Sequence, residues 1–140
     1  MRKTKSTVLE PEELAGVKKQ SFALPFRGGE IWFEHLDGMY QYTKLVLEKL
    51  KKDSQTFLLP SKPAHIAFVL DETLIAAELI DEIVRLLYSE KKQFLRVCLI
   101  GTDRKSQRLL RHALSDTAVF SVAFINDMEK AKEWLIPASK

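Results

Sequence analysis

The sequence predicts an α/β fold of order ββαβαβαβα, with a mixed, mostly parallel sheet and packed helices. Three observations predict it. Apolar runs of strand length, "AHIAFVLDE" (64–72), "FLRVCLIG" (94–101) and "AVFSVAFI" (118–125), alternate with segments of helical period. Strands separated by helices of about 10–15 residues form parallel pairs through right-handed crossovers. The run at 64–72 is almost continuously apolar, as in a strand covered on both faces. Near the start, Arg27-Gly28-Gly29 separates two short apolar-aromatic runs, which is the pattern of an antiparallel hairpin.

The elements follow in order. Residues 1–19 are polar and charged, with a helical hint at Pro11–Val17, and are expected as a flexible tail or a loosely attached helix before one domain at 20–137. "SFALPF" and "EIWFEHL" are the hairpin strands, and Pro25 implies that the first lies at an edge or is irregular. "LDG" at 36–38 ends the second strand. A helix is expected over Met39–Lys52, its apolar stripe of Val46, Leu47 and Leu50 opposing Lys44, Glu48, Lys51 and Lys52, with Asp53-Ser54 closing it. "TFLL" reads as a short strand or packed loop, and "PSKP" (60–63) as loop.

After the strand at 64–72, Ile75, Leu79, Ile83 and Leu86 fall at helical spacing, with Glu78, Asp81, Glu82 and Arg85 opposite. "DRKSQRLLRHAL" follows the next strand as a helix, with Leu109, Leu110, Ala113 and Leu114 turned to the sheet. The last strand leads to "NDMEKAKEWLI", with Asn126 or Asp127 as N-cap.

At 140 residues the chain is long enough for one hydrophobic core. Its 46% hydrophobic and 29% charged content is that of a globular protein. The net charge of +3 is too mild to indicate nucleic acid as a partner. A single cysteine, Cys98, rules out an internal disulfide and a Cys-based zinc site. "MRKTKSTVLEPEELAGVKKQ" has no apolar signal-like core, and no apolar run nears the roughly 18 residues of a membrane span. A soluble, cytoplasmic protein is expected.

The C-terminal half, "RVCLIGTDRK", a helix, then "VAFINDMEKAKEWL", carries a resemblance. Together with the N-terminal hairpin it resembles the STAS-like domains, which include anti-sigma-factor antagonists and a branch of small bacterial proteins. The resemblance spans about Ser21–Ile136 and implies a fold and a tendency to bind protein partners or apolar ligands. Antagonist domains carry a phosphorylatable Ser or Thr, typically in Asp-Ser-Ser-Gly, at the helix after the central strand. Here that region reads "VLDETLIAAELIDEI", where Asp71 matches the acid and Thr73 is the hydroxyl nearby.

Four constellations stand out. Gly101-Thr102-Asp103 opens a helix whose free N–H groups could hold an anion, yet one glycine is fewer than a phosphate loop carries. A turn with a capping Thr102 or Asp103 explains it more simply. Arg104, Arg108 and Arg111 share a helix face, with Lys105 beside them, either as a contact surface or a solvated face. Asp71, Glu72, Asp103 and Asp127 lie near strand ends, the edge where open α/β sheets place ligands, and serve equally as turn and cap residues. His35, His65 and His112 have no ligand-like spacing, so no metal is expected; Cys98 reads as a buried thiol. No Gly-x-Ser-x-Gly elbow is present.

The expected function is a non-enzymatic STAS-like protein-interaction or regulatory module without a cofactor. It would act on a protein partner or by self-association, through a contact surface of Arg104, Arg108 and Arg111. The alternative is a small-molecule binder for an anion, nucleotide or lipid. Its ligand, or a phospho-switch, would sit at the edge formed by Asp71, Thr73, Thr102 and Asp103.

Overall fold

The computed structural model describes residues 14–116 and 119–138. Its elements are α1 (Ala15–Lys18), β1 (Phe22–Phe26), β2 (Gly29–His35), α2 (Thr43–Phe57), β3 (His65–Val69), α3 (Ala77–Leu87), β4 (Arg96–Ile100), α4 (Arg104–Ala113), β5 (Ser121–Phe124) and α5 (Met128–Leu135). The five strands lie in chain order, β1-β2-β3-β4-β5. β1 and β2 are antiparallel and every other pair is parallel. The α/β class is therefore as expected.

In the hairpin, Phe26 pairs with Gly29, leaving Arg27 and Gly28 as a two-residue turn. Both have positive φ, 51° and 80°, as a type I′ turn requires. Pro25 lies on β1, an edge strand whose free side needs no ladder donor.

Alternation along the strands divides the core in two. Trp32, Ile66, Phe68, Val97 and Leu99 face Val46, Leu50 and Phe57 of α2, Leu79 and Ile83 of α3 and Leu110 of α4. The opposite face, with Ile31, Phe33, Ala67, Val69, Cys98 and Ile100, packs on Ala131 and Leu135 of α5. β3 and β4 are thus covered on both sides, which is why they read as unbroken apolar runs.

Several boundaries differ from expectation. α2 starts at Thr43 and runs past Asp53-Ser54 to Phe57. The Ser54 hydroxyl donates back to Lys51 O at 2.7 Å, so it does not compete with the helix. Phe57 of the "TFLL" run is the last helical residue and meets Phe94 edge-on at 6.3 Å between centroids. α3 begins at Ala77, because Thr73 and Leu74 are bonded to the sheet edge at Tyr40 instead.

Residues 1–13 of the expected tail lie outside the described residues. Of residues 14–19, expected as part of it, Leu14 is buried and Val17 partly buried, while the exposed Lys19 forms an ion pair with Asp37. Among the described residues, no helix is long and apolar enough to cross a membrane.

Candidate functional site

The sheet does not stop at the strand ends. Leu36 N donates to Val69 O, Gly38 N to Asp71 O and Tyr40 N to Glu72 O, and Leu74 N donates back to Tyr40 O at 2.8 Å. The loops after β2 and β3 are thereby zipped together as far as a Tyr40–Thr73 bridge. Thr73 locks this zipper: its hydroxyl donates to Leu36 O at 2.6 Å and accepts from Met39 N at 3.1 Å.

Only two of the four edge residues line a common groove. Thr73 and Asp103 line one groove of about 410 Å³ with Leu74, Gly101, Lys105 and Leu109. Asp71 is exposed, with its carboxyl packed against Gly101 Cα, where any β-carbon would collide with it. Gly101 also has φ 83°, so glycine is required there twice over. Thr102 points inward and is 4% exposed, and its Oγ1 has no partner among the described residues. Its carbonyl accepts from Gln107 Nε2 and Asn126 Nδ2, both at 3.1 Å. Asn126 Oδ1 also accepts from Gly101 N at 2.8 Å, tying the β4 and β5 ends together.

Asp103 is the N-cap of α4, accepting from Ser106 N at 2.7 Å. That backbone donor holds its carboxyl below the usual range. Asp127 caps α5 in the same way, accepting from Glu129 N and Lys130 N. These acids do the capping and turn work that their positions suggested.

Arg104, Arg108 and Arg111 are all exposed along α4, and Arg111 lies over the Phe124 ring at 4.7 Å. One expectation fails here. Leu110 and Leu114 are buried and Ala113 is partly buried, but Leu109 is 47% exposed. A helix resting on a sheet buries only one arc, and Leu109 sits one residue, about 100° of rotation, away from Leu110. Leu74 across the groove is 55% exposed and the neighbouring Tyr40 48%. Tyr40 has φ 48°, so a strained backbone holds this aromatic outward.

A second constellation was not among the sequence candidates. Glu34 of β2 is 0% exposed, on the face it shares with Trp32 and Leu36. Trp32 Nε1 donates to its Oε1 at 2.9 Å, and Oε2 has no partner among the described residues. Burial, reinforced by the neighbouring Asp53 carboxylate, pushes its carboxyl up to about 9. For Asp53, burial is outweighed by the neighbouring Glu34 carboxyl, Lys49 and Ser21, so its carboxyl is lowered. The proton therefore resides on Glu34, and the charge on Asp53.

Lys49 closes this cluster. Its ammonium reaches His35 O at 2.6 Å, Ser21 Oγ at 3.0 Å and Asp53 Oδ2 at 3.2 Å, which uses all three of its donors. Ser21 Oγ donates to Asp53 Oδ2 at 2.9 Å and accepts from His35 N at 2.9 Å. Beside it, His35 Nδ1 lies 3.0 Å from Asp37 Oδ1. Burial alone would raise Asp37, but hydrogen bonds from His35 and Lys19 bring it down to about 2.

The signal for this cluster was present in "EIWFEHL": period-2 alternation puts Glu34 in phase with Trp32 and Leu36, on the core face. Its partners lie 13 to 19 residues away on other elements, which no local pattern connects.

Among the described residues, no three His, Cys, Asp or Glu side chains are grouped to hold a metal ion. Cys98 is buried within β4, and burial pushes its thiol up to about 12. Compared with known proteins, the chain matches no family model, no curated protein and no solved structure.

Proposed function

We propose that this chain is a non-enzymatic protein-interaction module, STAS-like in its plan, that docks a partner at the carboxyl edge of its parallel strands. One observation carries the reading. Leu74 and Leu109 flank a groove with about half their surface in water, and Tyr40 stands next to them on a zipped backbone. Large apolar side chains held outward by fixed backbone are a typical interaction surface. Glu72 and Asp103 line the groove with Lys105, and Arg104 and Arg108 lie exposed along α4, which favours a partner segment that pairs apolar side chains with charges of both signs.

A small-molecule site at the same edge has weaker support. The Thr73 hydroxyl is engaged with Leu36 O and Met39 N, and one oxygen of the Asp103 carboxylate caps α4, so the edge offers a ligand little beyond the other Asp103 oxygen. A phospho-switch at Thr73 would have to break the bonds to Leu36 O and Met39 N.

The test uses a partner captured from the native host and then purified. Calorimetry with Leu74→Glu and Leu109→Glu should show at least about tenfold weaker binding, as for loss of an interface anchor. Self-association, read from light scattering over a range of concentration, should be lost in the same two variants if the partner is a second copy. Unchanged affinity in both variants overturns the reading, as does a strictly monomeric chain that captures nothing.

A further inference from the structure

We propose that the cleft between α1 and α2, remote in function from the docking edge, binds a small organic anion with an apolar body. The cleft holds about 510 Å³, within the range of small-molecule sites. Four lysines reach it, Lys18, Lys19, Lys49 and Lys52, and Met39 and Leu45 supply apolar wall.

The cluster beneath the cleft determines its sign. Lys49 is consumed by Asp53, Ser21 and His35 O, so this floor is neutral so long as Glu34 keeps its proton. Lys19 is paired with Asp37 but half its side chain remains in solvent. Lys18 and Lys52 have no ion-pair partner among the described residues, and both are exposed. Of the carboxylates, Asp53 is matched by Lys49, and Glu48 is the other acid lining the cleft. The surplus is positive.

A cluster of this kind is costly to bury. A buried carboxyl beside a carboxylate–ammonium pair is commonly no more stable than apolar residues of equal volume. Here it fixes the inner wall in a rigid geometry, while the flexible ammonium groups stay at the mouth. An anionic head at the mouth, with an apolar body against Met39 and Leu45, fits that division of labour.

Octanoate and inorganic phosphate are the probes, titrated into the full chain and read by calorimetry and by amide chemical shifts. Octanoate should bind saturably, at least fivefold more tightly than phosphate, and shift Leu45, Lys49 and Lys52. The double variant Lys18→Ala/Lys52→Ala should weaken octanoate at least fivefold. Lys44→Ala, the loss of one charge from α2 at a residue that does not line the cleft, should leave it unchanged. Leu74→Glu should also leave it unchanged, which separates this site from the docking edge. Absence of saturable octanoate binding overturns the proposal, as does equal weakening by Lys44→Ala, or phosphate binding as tightly as octanoate.

Discussion

Glu34 of β2 and Asp53 of α2 form a carboxyl–carboxylate pair beneath a lysine-lined cleft, with the proton on Glu34. The ordinary carboxyl value of Glu34, 4.5, rises to about 9 in the folded chain. A raised folded value means that the native state holds this proton more tightly than the unfolded state does. The stabilisation is fully present below about pH 4.5 and is lost progressively as pH rises towards 9. Asp53 and Asp37 shift the other way, so their contributions change only below 3.8.

Urea unfolding at pH 5, 6, 7 and 8 should therefore show stability falling with pH, at up to roughly 1 kcal/mol per unit. Glu34→Gln replaces the protonated acid with a neutral amide of like shape and should flatten that slope. A slope unchanged by Glu34→Gln would show that Glu34 is ionised in the folded chain.

Thr73 is predicted to act as a clasp. Thr73→Val removes both hydroxyl bonds, leaving Leu36 O and Met39 N short of a partner, at a cost of about 1–3 kcal/mol. Thr73→Ser should retain most of the stability. Equal loss in both variants would mean that the γ-methyl, not the hydroxyl, matters.

Gly101 and Asp71 should be coupled. Gly101→Ala meets both a φ of 83° and the Asp71 carboxyl, and should destabilise by about 1–3 kcal/mol. In an Asp71→Ala background the collision goes and the backbone strain stays, so the penalty should shrink without vanishing. A double-mutant cycle with no coupling energy would place the carboxyl elsewhere.

Leu109 and Leu110 differ by one position and should differ sharply in effect. Leu110→Ala opens a cavity at a fully buried site and should cost about 2–5 kcal/mol. Leu109→Ala should change stability by less than about 0.5 kcal/mol while weakening partner binding. The measurement is urea midpoint for both, with calorimetry for the second.

The sequence by itself determined the α/β class, the hairpin, the strand at 64–72 covered on both faces, and the caps to within one residue, Thr102 or Asp103 and Asn126 or Asp127. Each is a local property: alternation, period, turn chemistry or a capping oxygen, readable within a few residues of the chain. Tertiary packing decided the rest. α2 passes through Asp53-Ser54 because Asp53 is bound by Lys49 and Ser21 and Ser54 folds back on the helix. α3 begins only at Ala77, past Ile75 of the expected helical stripe, with Thr73 bound to Leu36 and Met39. Leu109 is exposed because the rotation of α4 about its axis is set by its contact with the sheet. Glu34, Asp53, Lys49 and Ser21 meet only once β1, β2 and α2 are assembled, and only that assembly holds a proton on a buried carboxyl.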